Sequence, residues 1–245
     1  MKPVRKIFKV TLLIVSIYLI NSCKKNEENA IIDADGNVYT SVKIGSQYWL
    51  KENLKTTKYN DNTTIPLVSD NTKWGTLTTP AFCWYNNDSA TYKDTYGALY
   101  NWYAVSALSN AGKNLCPVGW HVATDSQWTT LTDYLSKNGY GYGGNGDYIG
   151  KSLATTTGWA IWPTAGFVGN DQASNNKSGF TALPGGSRTD SGGGFYFLSN
   201  YAVWWTATEE QTTSAKGIEI GFNMNIVFRN DFSKAIGFSV RCIKN

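Results

Sequence analysis

Thiols, imidazoles and clustered acids could do the most chemistry in this chain, and they are few. Cysteines stand at 23, 83, 116 and 242, and His121 is the single histidine. A Ser–His–Asp site would have to use His121, yet no nucleophile-elbow sequence accompanies it. Zinc needs several His or Cys ligands at close spacing, and that spacing is missing. A lone histidine beside Trp120, in a short strand-like run, is more commonly a packed, hydrogen-bonded residue. No catalytic residue and no metal ligand is therefore assigned.

Oxygen-rich segments are less easily dismissed. Asp33-x-Asp35-Gly36-Asn37 opens like a calcium loop but lacks the later bidentate Glu. Asn86-Asn87-Asp88 with Asp94 forms a second cluster. Asn and Asp also favour turns for local hydrogen-bonding reasons, and the turn reading is preferred. No cofactor is expected, with calcium the one candidate.

The remaining chemistry is recognition. Tyr140, Tyr142, Trp159 and Trp162 lie in Gly-rich, polar segments, and Tyr196 follows Gly192-Gly193-Gly194. Exposed rings flanked by Asn, Asp and Ser suit sugar faces, and they suit protein partners equally well. The competing reading is that these rings pin the long loops down. As a ligand-binding set the five point to capture of a glycan or a protein at one loop face.

The elements that must position these residues are organised around Leu115–Lys137. Thr124 and Gln127 form a capping box, each able to satisfy an otherwise orphan backbone N–H. Trp128, Leu131 and Leu135 recur at helical spacing, and Asn138-Gly139 supplies the stop. A second helix is expected from Tyr96, Leu99, Tyr100, Tyr103 and Ala107, largely buried because Trp102 and Val105 fill its other faces. Val38, Val42 and Ile44 alternate as a strand, and Gly45-Ser46 fits a two-residue hairpin loop into Gln47–Leu50. Residues 81–85 read as another strand. The segments 138–150 and 155–194 carry no periodicity and read as long loops. Strands are expected over 201–206, 216–222, 225–229 and 236–243. In the last, Ile236, Phe238, Val240 and Cys242 share one face, so Cys242 points inward.

At the N-terminus, basic residues up to Lys9 precede an apolar run, Val10–Ile20, too short for an ordinary membrane-spanning helix. The run ends Leu19-Ile20-Asn21-Ser22-Cys23, which resembles a bacterial lipobox with Cys23 as the lipidated residue. An ordinary cleaved leader or a membrane anchor is the competing reading. The expectation is a signal peptide over 1–22, a tether over 23–30, and one folded domain over 31–245. The partner would be the membrane, reached through the lipid. Lys24–Glu28 resembles the charged tag of lipoproteins sent to the outer face of the outer membrane, or is simply a solvated linker.

Composition narrows the function further. The formal charge is +4, but the first 22 residues hold Lys2, Arg5, Lys6 and Lys9 and no acid. Without them 18 basic residues face 18 acidic ones, and a neutral domain has no long-range attraction for nucleic acid. With Cys23 on lipid, an odd number of cysteines remains for an exported chain. Cys116 leads into the capped helix and Cys242 faces inward, so a Cys116–Cys242 disulfide with Cys83 free is favoured. Three reduced, packed thiols are the alternative.

These motifs carry a family resemblance. Cys116-Pro117-x-Gly119-Trp120-His121 before the capped helix is similar to the signature of the Fibrobacter succinogenes major paralogous domain family. Asp35–Tyr39, Trp49–Leu54, Cys83–Asp88, Gly97–Trp102, Trp205–Glu209 and Gly237–Cys242 extend the likeness over most of the folded part. Ala123 departs from it, where Pro is more usual. More distantly, Val122-Ala123-Thr124-Asp125-x-x-Trp128 and Gly237-Phe238-x-x-Arg241-Cys242 resemble the frame of the formylglycine-generating enzymes. That resemblance implies an α+β, C-type-lectin-like single domain with antiparallel strands, two main helices and long irregular loops. It does not carry over the activity. Those enzymes use a late cysteine pair for a copper-dependent oxidation, and here Cys242 is the single cysteine after Cys116. The expected function is non-enzymatic ligand binding or adhesion by a cell-surface lipoprotein of the outer membrane. A structural surface component is the alternative, and an enzyme of unknown type the third reading.

Overall fold

In the computed structural model the capped helix forms as its sequence requires. It runs Asp125–Lys137. The Gln127 backbone N–H donates to Thr124 Oγ1 at 3.3 Å, and the Thr124 N–H donates to Gln127 Oε1 at 2.9 Å. Trp128, Leu131 and Leu135 are all buried. The Trp128 ring lies 4.8 Å from Trp49, 5.5 Å from Phe180 and 5.5 Å from Trp204, centroid to centroid. Such tilted and edge-on aromatic pairs stabilise beyond the area they bury.

The structure describes Met1 and residues 30–245, and Ile32–Asn245 forms one compact unit of α+β type. The signal-peptide and tether readings, Cys23 included, lie outside the described residues. Among the described residues no helix is long and apolar enough to cross a membrane.

Two four-stranded sheets flank the helix. One has the order Ser41–Ile44, Gln47–Leu50, Cys242–Lys244, Trp120–Val122, so early and final strands of the unit lie side by side. Its hairpin turns at Gly45-Ser46, with Ile44 opposite Gln47. The other has the order Phe228–Ser233, Ser214–Gly221, Tyr201–Glu209, Ser239–Val240. Its first two pairings are antiparallel and the last is parallel.

Four expectations change. Residues 155–194 are not all loop, since Gly185–Arg188 forms a strand paired with Phe195–Leu198. The last segment is not one strand: Ser239–Val240 joins one sheet, Cys242–Lys244 the other, and Arg241 sits between them. Strict alternation fails there because Phe238 through Ile243 are all buried. The 225–229 strand forms later, at Phe228–Ser233. The second helix is absent as expected over 96–107. A helix with no fully buried residue, Ser89–Tyr96, stops where Gly97 takes φ +77°, and a Cβ at Gly97 would run into the Leu54 carbonyl. Leu99–Tyr100 then pairs as a strand with Phe82–Cys83. One helical turn, Trp102–Val105, follows, capped by Asn101. The apolar spacing reflected burial of three different short elements, so a single main helix remains.

Cys116 and Cys242 are bonded, tying the run before the central helix to the closing strand. Cys83 is free and buried; burial pushes its thiol up to about 12, with the nearby Arg188 charge opposing.

The long loops are held by buried polar anchors. Lys151 is buried, and its ammonium donates to the carbonyls of Asn170 at 2.5 Å, Asp171 at 3.1 Å and Phe167 at 3.4 Å. Burial lowers its pKa, while the Asp171 charge acts the other way. Trp159 is only 5% exposed and belongs to the main core cluster. Its indole N–H donates to Thr155 Oγ1 at 3.0 Å, and its backbone exchanges hydrogen bonds with the Gln172 amide. Trp159 is therefore scaffold and not a binding ring. Trp159→Ala is expected to cost about 3 kcal/mol, toward the lower end for a buried Trp because the loop can partly collapse. A shift in the urea midpoint at unchanged slope checks it, and a loss under about 1 kcal/mol would contradict the core assignment.

Candidate binding groove

The five aromatic residues singled out for ligand binding do not converge. Tyr140 is half-buried against Tyr134, with the Lys177 ammonium 5.4 Å from its ring centre. Tyr142 is 45% exposed but lies against Gly166. Trp162 is half-buried and packs edge-on against Phe222 at 5.5 Å. Trp159 lies in the core, Tyr140 and Trp162 pack against neighbouring rings, and Tyr142 is exposed. Tyr196 lines a groove of about 540 Å³.

The groove is built on the outward face of the second sheet. Along Ser214–Gly221, Ile218 and Ile220 point into the core, so Gly217, Glu219 and Gly221 point the other way. The two glycines have a packing reason. A Cβ at Gly217 would lie 2.7 Å from the Phe232 ring, and one at Gly221 would lie 2.6 Å from the Tyr201 ring. Both rings can thus approach the strand closely on either side of Glu219. Val203 is directly opposite Glu219 on the neighbouring strand. Phe238, Ile236, Ser187 and Thr189 contribute to the lining. Phe232 meets Phe238 edge-on at 4.8 Å, which fixes one wall.

The other wall is the hairpin Gly185–Arg188 with Phe195–Leu198. Its base is rigid. The Arg188 guanidinium, fully buried, donates to the carbonyls of Val68 and Ser69 and to Asn71 Oδ1, while lying between the Trp74 and Phe195 rings at 4.5 and 4.8 Å. Its second strand presents Tyr196 and Phe197, 53% and 56% exposed. Phe197 holds φ at +67°, a left-handed conformation that a bulky residue rarely adopts and that costs on the order of 1–2 kcal/mol. Its ring stands edge-on to Tyr201 at 5.3 Å.

Glu219 is the one carboxylate in the lining, and burial raises its pKa above the ordinary value. The cations on these strands are committed elsewhere. Lys216 pairs with Asp231 at 2.6 Å and Glu210 at 3.1 Å, Arg229 with Asp125 at 2.6 Å, and Lys234 with Glu209.

The other candidates are occupied locally. The Asp33 carboxylate accepts from the backbone N–H groups of Asp35 and Asn37, the Asn37 side chain and the Tyr39 hydroxyl, which is a turn network. Asp35 accepts from the Thr57 N–H and pairs with Lys58. Asp88 caps the following helix through Thr91, and Asp94 pairs with Lys55. His121 contacts Asn245 Oδ1 through Nδ1 at 2.6 Å and Gln127 through Nε2.

With this geometry in place, the relationship of the chain can be stated. Residues 42–244 match the family described as the Fibrobacter succinogenes major domain, and the chain belongs to it. Comparison with curated proteins and with solved structures returns no match.

Proposed function

We propose that this member of the family is a non-enzymatic surface lipoprotein that captures a glycan or protein ligand in the groove beside Tyr196 and Phe197. Attachment would be through a lipid on Cys23 at the outer membrane. We further take the α+β unit to have C-type-lectin-like architecture. The side-by-side pairing of early and final strands, with long loops inserted between the sheets, supports that reading.

The observation that carries the binding role is Phe197. Folding normally buries a phenylalanine and gives it an ordinary backbone. Here the ring is more than half exposed and the backbone is left-handed, so the local structure spends stability without gaining burial. Backbone strain of that kind concentrates at ligand-contacting positions. A purely structural surface component would have no use for it.

Phe197→Gly separates the two roles. Glycine adopts φ +67° without penalty, so the variant should unfold at the same urea concentration as the parent or slightly higher. Its binding on a glycan array, or to captured surface protein, should fall by about tenfold, as expected for loss of a contact aromatic. A variant that binds as well as the parent would remove Phe197, and the groove with it, from the ligand site.

A further inference from the structure

The groove described above contains a charge that the fold leaves unanswered. Glu219 sits at the centre of its floor, between the Tyr201 and Phe232 rings and opposite Val203. Along the same strands Lys216, Arg229 and Lys234 are each engaged by another carboxylate. Lys234 is further spoken for by the Thr212 carbonyl and the Trp102 ring. Among the described residues no Lys or Arg forms an ion pair with Glu219. The site therefore combines one half-buried anion with five aromatic side chains, Tyr196, Phe197, Tyr201, Phe232 and Phe238.

Charge and shape together select the class of ligand. An anionic ligand would be repelled by the carboxylate. A neutral sugar could donate hydroxyl hydrogens to it but would leave its charge uncompensated in an apolar setting, where that costs most. An organic cation answers both features, because its charge pairs with the carboxylate while its C–H surface lies against ring faces. The volume, about 540 Å³, falls in the range of small-molecule sites. We infer that the groove binds a small organic ammonium ion, with Glu219 as its counter-ion and the aromatic side chains as its cage. This rests on the groove being the ligand site, and it narrows the ligand to a protonated or quaternary amine, an amino sugar included.

The test uses the full chain and two probes of equal shape, choline and its neutral isostere 3,3-dimethylbutan-1-ol, titrated by calorimetry. Choline should bind about tenfold or more tightly than the isostere. Glu219→Gln should lose that preference by about the same factor while unfolding at an unchanged or higher denaturant concentration, since a half-buried charge is removed. Equal binding of the two probes, or a choline affinity indifferent to Glu219→Gln, would overturn the ammonium assignment while leaving an apolar groove ligand in place. Binding of neither probe would also overturn it. The groove itself is then judged by Phe197→Gly on the glycan array, so the two readings fail separately.

Discussion

Arg241→Ala is expected to cost about 5 kcal/mol or more, enough to leave the domain at the edge of unfolding given ordinary net stabilities. The guanidinium is fully buried and bridges elements distant in sequence. It donates to the Leu50 carbonyl at 2.9 Å, the Phe180 carbonyl at 2.7 Å and Asn53 Oδ1 at 3.0 Å. The Phe180 and Trp204 ring centres lie 4.4 and 5.6 Å from its central carbon. Burial pulls its pKa down to about 9, opposed by Glu52, so the group is still a cation at neutral pH. Alanine would strand these acceptors in the core and open a void beneath two aromatic rings. Each unsatisfied buried acceptor costs about 1–3 kcal/mol, before the void is counted. Lysine should rescue little, because an ammonium cannot reproduce the planar fork. Equilibrium urea unfolding measures the loss. A cost below about 2 kcal/mol would mean water replaces the guanidinium and that the switch between sheets does not depend on it.

Arg241 also marks where sequence reasoning stops. Local signals were legible: the Thr124–Gln127 capping box, the Gly45-Ser46 hairpin and the inward Cys242 all follow from residues a few positions apart. The closing segment read as one strand because Ile236, Phe238, Val240 and Cys242 alternate. A buried arginine within it becomes intelligible only when the carbonyls of Leu50 and Phe180 are brought to it from far along the chain. The false second helix had a similar cause. Three short buried elements in a row imitate helical spacing, and the breaker, Gly97, was the one residue arguing otherwise.

The groove was legible in one residue, Tyr196, and illegible in its floor. Ile218 and Ile220 form the inward face of the expected 216–222 strand, but the outward face, Gly217, Glu219 and Gly221, carried the signal. Glycine is depleted from strands, so two of them flanking an acid on one face imply that something large lies across that face. The identity of the covering rings, Tyr201 and Phe232, depends on strand pairing. Nothing in the residue type of Phe197 announces a left-handed backbone. Trp159 misled because aromatic residues in Gly-rich loops look alike whether they face solvent or core. What settles the matter is the buried Lys151 cage and the Gln172 contacts, which come from elsewhere in the loop.

The second large effect belongs to the crosslink. Replacing Cys116 and Cys242 together by Ala should lower stability by about 5 kcal/mol in the chain-entropy account, since the bond closes a loop with a sequence separation of 126. Ala removes two buried sulfurs and leaves small voids, a native-state loss that adds to this, while the loop-closure part arises in the unfolded chain. That origin has a kinetic consequence. Strand Cys242–Lys244 pairs with both Trp120–Val122 and Gln47–Leu50, contacts of long sequence separation that the crosslink holds near one another before folding. Without it, refolding should slow more than unfolding accelerates. Reductant should reproduce the stability loss in the parent and leave the double variant unchanged, because Cys83 is buried with its thiol raised to about 12 and does not substitute. Urea chevrons with and without reductant measure both limbs. A loss confined to the unfolding limb would place the contribution of the bond in the native state and overturn the entropic account for this chain.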